Sequence, residues 1–310
     1  MKPGMNRPAP LALPVAFALA LTAGCGGDET TPTPACAPPA TVMGRVPYYE
    51  CSTVGVCPRA RARNDTTRPT WRITYLRPVS PSGIANAAVE DAVNSRMQAG
   101  TFLWGLSFDL EAGTVRTGGF NPATRTLGMT GIGLLDGQYR YFNRDAAGMG
   151  DAARYDSISS TVTVTNGRAT SGMFMGTVRL PVFNPDGSLF TVLPLTNLRL
   201  IAVKLTADRG CIGEGRPHDG RFAEHASVWN TVDDTGSPYG TVEADITAEE
   251  ARAVNVSIGT TVVPLCDLLA GAACTSPMAM WPKQPDTMVN AMPAWRLRAD
   301  FAAVSATVRP

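Results

Sequence analysis

One stretch of the sequence brings histidines and carboxylates close together. Both histidines of the chain, His218 and His225, lie in EGRPHDGRFAEH (residues 214–225) together with Asp219 and Glu224. Such side chains can bind zinc, or can pair as a general acid and base for hydrolysis. The seven-residue spacing matches no common ligand motif, and the glycines and proline of the stretch predict a loop. The alternative to a metal or acid–base site is therefore a solvated polar loop.

A second stretch, DTGS at residues 234–237, resembles the catalytic loop of aspartic proteases. That reaction needs two carboxylates that share a proton, but the chain holds one copy of the motif, and Asp233 stands where the family has an apolar residue. We therefore expect a surface turn capped by an aspartate side chain. The sequence contains no G-x-S-x-G, P-loop or calcium-loop pattern. We assign no catalytic residue and no cofactor.

The N-terminal sequence has the pattern of a secretory signal. Lys2 and Arg7 precede an apolar run over residues 11–23. As a helix this run would be about 20 Å long, too short for the roughly 30 Å core of a bilayer. It leads to LTAGC, which resembles a bacterial lipobox, the motif whose cysteine is acylated and becomes the mature N-terminus. We expect residues 1–24 to be a lipoprotein signal peptide and Cys25 to carry the lipid, palmitate included. The alternative is an ordinary signal cleaved nearby, with Cys25 left to form a disulfide.

The remaining cysteines predict a disulfide framework, since an even number of cysteines in an exported chain favours pairing. They form two groups of three, one before residue 60 and one after residue 210. If all six are bridged, at least one bond must join the two groups, because three cysteines cannot pair without a remainder. Such a bond would close a loop of more than 150 residues and would stabilise the fold by about 5 kcal/mol in the chain-entropy model. The candidates are Cys36, Cys51, Cys57, Cys211, Cys266 and Cys274.

Composition divides the rest of the chain into a tether and one body. Residues 25–41 are rich in glycine, threonine and proline and predict an extended tether, and residues 42–310 are long enough for one β-rich domain. The chain has 27 basic and 26 acidic residues, and residues 1–24 hold two of the basic ones and no acidic one. The remainder therefore has a net charge of −1, which gives no basic surplus for a nucleic acid.

Two groups of residues are candidates for ligand binding. The arginines of RARAR, just after Cys57, could bind an anionic glycan or a lipid headgroup, although a solvated strand or loop is the alternative. Trp229 and Trp281 lie in irregular segments and could stack on sugar rings, whereas the other tryptophans in strand patterns, Trp71, Trp104 and Trp295, are expected in the core. The arginines are Arg59, Arg61 and Arg63.

Periodicity predicts the strands of the body. Apolar and polar residues alternate over residues 71–78 and again over 295–301, and Asn166-Gly167 predicts the two-residue turn of a hairpin. The C-terminal strand should have one solvated side. The residues predicted on that side are Arg296, Arg298 and Asp300.

Fewer segments have helical patterns. Apolar residues on one helical face predict a helix within residues 84–97 that stops at Gly100, and Thr247 with Glu250 has the pattern of a capping box. We therefore expect a mainly β fold with a few helices, either a β-sandwich or a layered antiparallel sheet, stapled by disulfides.

Three segments of the body together resemble uncharacterised lipoproteins abundant in myxobacterial-type genomes. In those proteins a strand ends in Cys-Ile-Gly, and a capped helix precedes a Leu-Cys segment. The resemblance covers roughly residues 70–310, implies fold and location, and carries over no catalytic residue. The segments are NLRLIAVKLTADRGCIGE (197–214), GTVEADITAEEARAVNV (240–256) and VVPLCDLLAG (262–271).

These patterns predict a lipid-anchored protein of the bacterial cell envelope, in the outer rather than the inner membrane, facing the periplasm or the cell surface. The favoured function is a non-catalytic binding or structural module. The alternative is an envelope hydrolase for a glycan, peptide or lipid, with its site near His218 and His225. The expected partners are the membrane, through the anchor, and an envelope protein or glycan.

Overall fold

The computed structural model describes five ranges of the chain, all of which belong to the compact unit Cys36–Pro310. These ranges are residues 64–122, 138–142, 155–206, 209–216 and 228–308.

Strands make up most of the described residues. They are β1 Thr70–Ser80, β2 Trp104–Asp109, β3 Thr114–Pro122, β4 Gln138–Tyr141, β5 Ile158–Thr165, β6 Arg168–Ser171, β7 Thr177–Phe183, β8 Leu189–Ile201, β9 Val203–Lys204, β10 Cys211–Ile212, β11 Glu214–Arg216, β12 Val228–Asn230, β13 Thr241–Thr247, β14 Asn255–Ile258, β15 Thr261–Pro264, β16 Thr287–Val289, β17 Met292–Ser305 and β18 Thr307–Val308. The helices are α1 Ala87–Gln98, α2 Ala248–Ala253 and α3 Leu265–Ala270, with a 3₁₀ turn at Met278–Met280.

Most strands form one large antiparallel sheet in the order β7-β8-β13-β17-β1-β2-β3-β5-β6-β9. The path ends at β7 and β9, and β9 follows β8, the neighbour of β7, directly after Ala202. Both ends therefore belong to one stretch of chain, and the sheet curls back on itself. β14 and β15 form a separate hairpin, as do β11 and β12. The predicted mainly β fold with a few helices, an antiparallel sheet and a disulfide staple is confirmed, and its form is a single curled sheet.

The sheet has the predicted hairpin turn between β5 and β6. Asn166 and Gly167 have φ angles of 51° and 71°, the positive values that a type I′ turn requires at both positions. Asparagine and glycine adopt this backbone conformation at lower cost than other residues. The local sequence therefore fixes this turn.

The C-terminal strand β17 departs from the predicted pattern at Asp300. This residue is buried rather than solvated, since β13 and β1 lie on either side of it. Its carboxylate lies 2.6 Å from a guanidinium nitrogen of Arg77 and accepts a hydrogen bond from the Thr241 hydroxyl at 2.8 Å. A buried carboxylate needs such partners, so the expectation of a solvated side holds only for the first half of β17.

Helix α1 packs on β1 and has a polar residue on its buried face. It begins after Asn86, whose side chain accepts a hydrogen bond from Val89 N–H, and it ends before Gly100, as predicted. Asn94 is buried, and its amide both donates to and accepts from the backbone of Leu76 at 2.8 Å. β2 pairs with β1 only as far as Ile73, so Asn94 takes over backbone bonds that a neighbouring strand would otherwise supply.

Helices α2 and α3 lie close together beside the sheet. Thr247 and Glu250 form the predicted capping box at the start of α2. In α3, Cys266 is joined by a disulfide to Cys274, and the Cys274 N–H donates to the Asp267 carboxylate at 2.8 Å. The disulfide thus closes the loop that follows α3.

The core has two main apolar clusters. The larger takes side chains from nearly every strand of the curled sheet, among them Trp71, Trp104, Leu106 and Phe301. The second packs α2 and α3 against the sheet, and includes Ile246, Leu269, Trp281 and Trp295. The predicted core positions of the three strand tryptophans are confirmed, since each is at most 2% exposed.

Candidate functional site

Most residues singled out for chemistry lie outside the described ranges. The hypothesis of a metal or acid–base site therefore stays a prediction, as does that of the arginine cluster. In the described part of the chain, no three His, Cys, Asp or Glu side chains are grouped so that they could hold a metal ion. The residues outside the described ranges are His218, His225, Asp219, Glu224, Arg59, Arg61, Arg63, Cys25, Cys36, Cys51 and Cys57.

The protease-like stretch at residues 234–237 forms a polar turn. The Asp233 carboxylate accepts hydrogen bonds from the backbone N–H groups of Thr235 and Ser237, both at 3.0 Å, and from the Thr235 hydroxyl at 2.6 Å. These bonds lower the pKa of Asp233 below its ordinary value of 3.8, with the Thr235 hydroxyl as the main cause. The Asp233 carboxylate, which precedes the motif, thus caps the turn, and Asp234 of the motif itself is exposed on it, in agreement with the expected capped surface turn.

Trp229 and Trp281, the proposed sugar-stacking residues, are both buried. Trp229 is 4% exposed and packs with Ala302 and Val304, and Trp281 is 3% exposed and stacks on Trp295 with ring centroids 5.6 Å apart. A sugar platform needs an open ring face, and in this structure neither ring presents one.

The described cysteines are all disulfide-bonded. Cys266 and Cys274 pair with each other, and Cys211 is disulfide-bonded as well. The bond predicted between the two groups of cysteines would supply the partner of Cys211.

Charged pairs cover the outer face of the sheet. Arg296 Nε lies 3.0 Å from Asp245 Oδ1, and Arg199 pairs with Glu243. Asn197 donates to the same Asp245 carboxylate at 2.9 Å. The hydrogen bond to Asp245 raises the pKa of Arg296. Both carboxylates are occupied by cations, so these pairs fit a structural role rather than proton transfer.

A cavity lies between α1, the curled sheet and the β14–β15 hairpin. Val93, Leu193 and Leu297 line it, and each packs against both main apolar clusters. These three side chains are only partly buried. The cavity is therefore the place where the two halves of the core fail to close on each other.

The cavity has a volume of about 160 Å³ and almost entirely apolar walls. An apolar cavity of about 150 Å³ in another protein stays dry and binds benzene. This cavity therefore has room for about six to eight carbon atoms. Small residues such as Ala92, Ala244 and Ala299 contribute to the space.

Arg96, in the last turn of α1, is the cation of this cavity. Its guanidinium donates to the Phe183 carbonyl and to the Ser257 hydroxyl, both at 2.9 Å, and lies 4.0 Å above the Phe190 ring. Phe190 and Ser257 also line the cavity. Burial lowers the pKa of Arg96, but an arginine remains charged at neutral pH.

A second arginine, Arg298, contributes to the cavity wall from β17. Successive strand residues face opposite sides of a sheet, so its side chain points away from Leu297 and Ala299, which line the cavity. Its exposed side chain lies on the outer face. Among the described lining residues there is no carboxylate, so the charge at the cavity comes from Arg96.

No motif in the sequence points to this cavity. The α1 pattern does contain a signal for Arg96, which lies three residues after Val93 and four after Ala92 and therefore on the same face of the helix. The cavity itself depends on residues that come together from distant parts of the chain, and no local pattern encodes it.

No family model, curated protein or solved structure matches the chain. Within the described ranges, no helix combines the length and the apolar character needed to cross a membrane.

Proposed function

We propose that this chain is a non-catalytic binding protein of the bacterial cell envelope that takes up a small apolar ligand between α1 and the curled sheet. The observation that carries the proposal is the apolar cavity of about 160 Å³.

The energetics of packing support a functional cavity. An unfilled void costs about 24 cal/mol per Å³, so a fully enclosed cavity of this size would cost on the order of 4 kcal/mol. This cavity is partly open to solvent, so its own cost is a fraction of that value. Larger apolar side chains at Ala92, Ala244 or Ala299 would fill the space and remove that cost, and a ligand that fills the cavity recovers a comparable part of it on binding.

The sequence supports a lipid anchor for this binding body. In this proposal Cys25 is acylated within LTAGC, and the tether to Cys36 spans about 30 Å and holds the body near the outer membrane. The resemblance to envelope lipoproteins supports the same location, where an envelope protein or glycan would be the partner. Mass spectrometry of the mature N-terminal peptide tests the anchor. An unmodified Cys25, or a mature start elsewhere, would contradict it.

The binding proposal is tested with 1-octanol as a probe and a matched pair of variants. At ten times its Kd, a ligand stabilises the protein by about 1.4 kcal/mol, which raises the Tm of a chain of this size by about 2–3 °C. Trp104 lines the cavity, so its fluorescence provides a second readout. Ala92→Leu fills the cavity and should abolish both responses. Ala88→Leu makes the same change on the exposed side of α1 and should leave both intact.

Two results would contradict the proposal. One is an unchanged Tm and fluorescence of the wild-type protein in 1-octanol, a measurement that does not depend on how the variants fold. The other is an equal loss of response in Ala88→Leu and Ala92→Leu.

A further inference from the structure

Arg96 is a partly buried cation without a counter-ion in the described part of the chain. Its two hydrogen bonds go to neutral acceptors, the Phe183 carbonyl and the Ser257 hydroxyl. A guanidinium has five N–H donors, so three donors make no bond to a described residue. A charge withdrawn from water is stabilised by an opposite charge.

The guanidinium is also held in place. The Arg96 side chain extends from the last turn of α1, and its guanidinium group lies over the Phe190 ring. The hydrogen bonds to the Phe183 carbonyl and the Ser257 hydroxyl fix two of its nitrogens. An anion that binds there finds its donors already oriented, and preorganised donors bind with less loss of conformational entropy.

We propose that the ligand of the cavity is a small carboxylate with an apolar portion of about six to eight carbons, whose carboxylate binds Arg96. The inference rests on the proposed function, because it assumes that the cavity is occupied by a ligand. Three features of the structure support it: the apolar walls, the cation at Arg96 and the lack of a carboxylate among the described lining residues.

The carboxylate matches the donors that Arg96 leaves open. Planar guanidinium and carboxylate groups form two parallel N–H···O bonds. An alcohol cannot form this pair of bonds, and an ammonium group is repelled by the charge of the guanidinium. The apolar portion then lies among side chains such as Val93, Leu193 and Leu297. Each methylene of the ligand that is buried there strengthens binding about fourfold. This gain should stop once the alkyl portion of the ligand exceeds the volume of the cavity.

The test compares octanoate, 1-octanol and octylammonium on the full chain by calorimetric titration. We expect octanoate to bind at least about tenfold more tightly than 1-octanol, and octylammonium to bind more weakly than 1-octanol. From hexanoate to octanoate the affinity should rise about fourfold per methylene, and decanoate should gain less.

Arg96→Met tests the role of the cation because it removes the charge and keeps an apolar stem over Phe190. It should weaken the binding of octanoate at least about tenfold and change the affinity for 1-octanol by no more than about twofold. Arg140→Met makes the same change of charge at an exposed residue of β4 that does not line the cavity, and it should leave the binding of both ligands unchanged. The comparison of the three ligands on the wild-type protein remains decisive if Arg96→Met does not fold.

The outcomes separate this inference from the proposed function. If 1-octanol binds and octanoate binds no more tightly, the carboxylate inference is overturned and the apolar site stands. If Arg140→Met weakens octanoate binding as much as Arg96→Met does, the assignment to Arg96 is overturned. If neither octanoate nor 1-octanol binds, the proposed function fails as well.

Discussion

Replacing Asn94 by alanine should destabilise the protein by about 3 kcal/mol. The side chain is 4% exposed and satisfies both backbone groups of Leu76, and its amide also donates to the Glu90 carbonyl at 2.8 Å. Without it, the buried N–H and C=O of Leu76 lose their partners, and each orphaned group costs about 1–3 kcal/mol. The higher helix propensity of alanine offsets about 0.6 kcal/mol of that loss.

The free energy of unfolding in urea, followed by circular dichroism, measures the effect. Asn94→Leu keeps most of the side-chain volume but none of the hydrogen bonds, so it should also lose at least about 2 kcal/mol. Ser95→Ala is the matched control, because Ser95 is exposed on the same helix, and its change should stay within about 0.5 kcal/mol. Wild-type stability of Asn94→Ala, or of Asn94→Leu, would show that the hydrogen bonds of Asn94 to Leu76 do not stabilise the fold.

Four further predictions follow from other parts of the structure. Replacing both Cys266 and Cys274 by serine should cost about 2.5 kcal/mol of unfolding free energy, the chain-entropy value for so short a loop, and an unchanged urea midpoint would contradict it. Gly83→Ala should cost at least about 2 kcal/mol, because a Cβ there would lie 2.0 Å from a backbone carbonyl oxygen of α3; wild-type stability in thermal melts would refute that contact. The pKa of Asp233 should lie below 3.8, so its turn is stabilised above that pH and loses this contribution as the pH falls through the lowered value. A carboxyl NMR titration with a midpoint at or above 3.8 would rule this out. Peptide mapping without reductant should link Cys211 to a peptide that precedes residue 60, and a free Cys211 thiol would exclude the long-range bridge.

Local features of the fold were predictable because their causes are local. Asn166 and Gly167 tolerate positive φ, and Thr247 with Glu250 satisfies the first backbone N–H groups of α2 within one turn. The position of Asp300 was not predictable from alternation alone, because its burial depends on Arg77, which is 223 residues away in the sequence.

The candidate site was not predictable from the sequence either, because it also depends on residues that are distant in the sequence. Trp281 is a candidate for sugar stacking because it lies in an irregular segment of the sequence, but its ring stacks on Trp295 and is buried. The burial of Asn94 likewise depends on β1, whose Leu76 backbone it binds. The cavity requires the positions of α1, β8 and β17 together, and sequence periodicity describes each element separately.

The most direct test of the binding site is a methyl NMR titration of the full chain with octanoate. Binding in the cavity should produce saturable shifts of the methyl resonances of Val93, Leu193 and Leu297, which line it. The methyl resonances of Val164, which is 45% exposed on β5, should not shift. Shifts at Val164 of the same size as those at the cavity, or no saturable shift at Val93, Leu193 and Leu297, would exclude binding in the cavity.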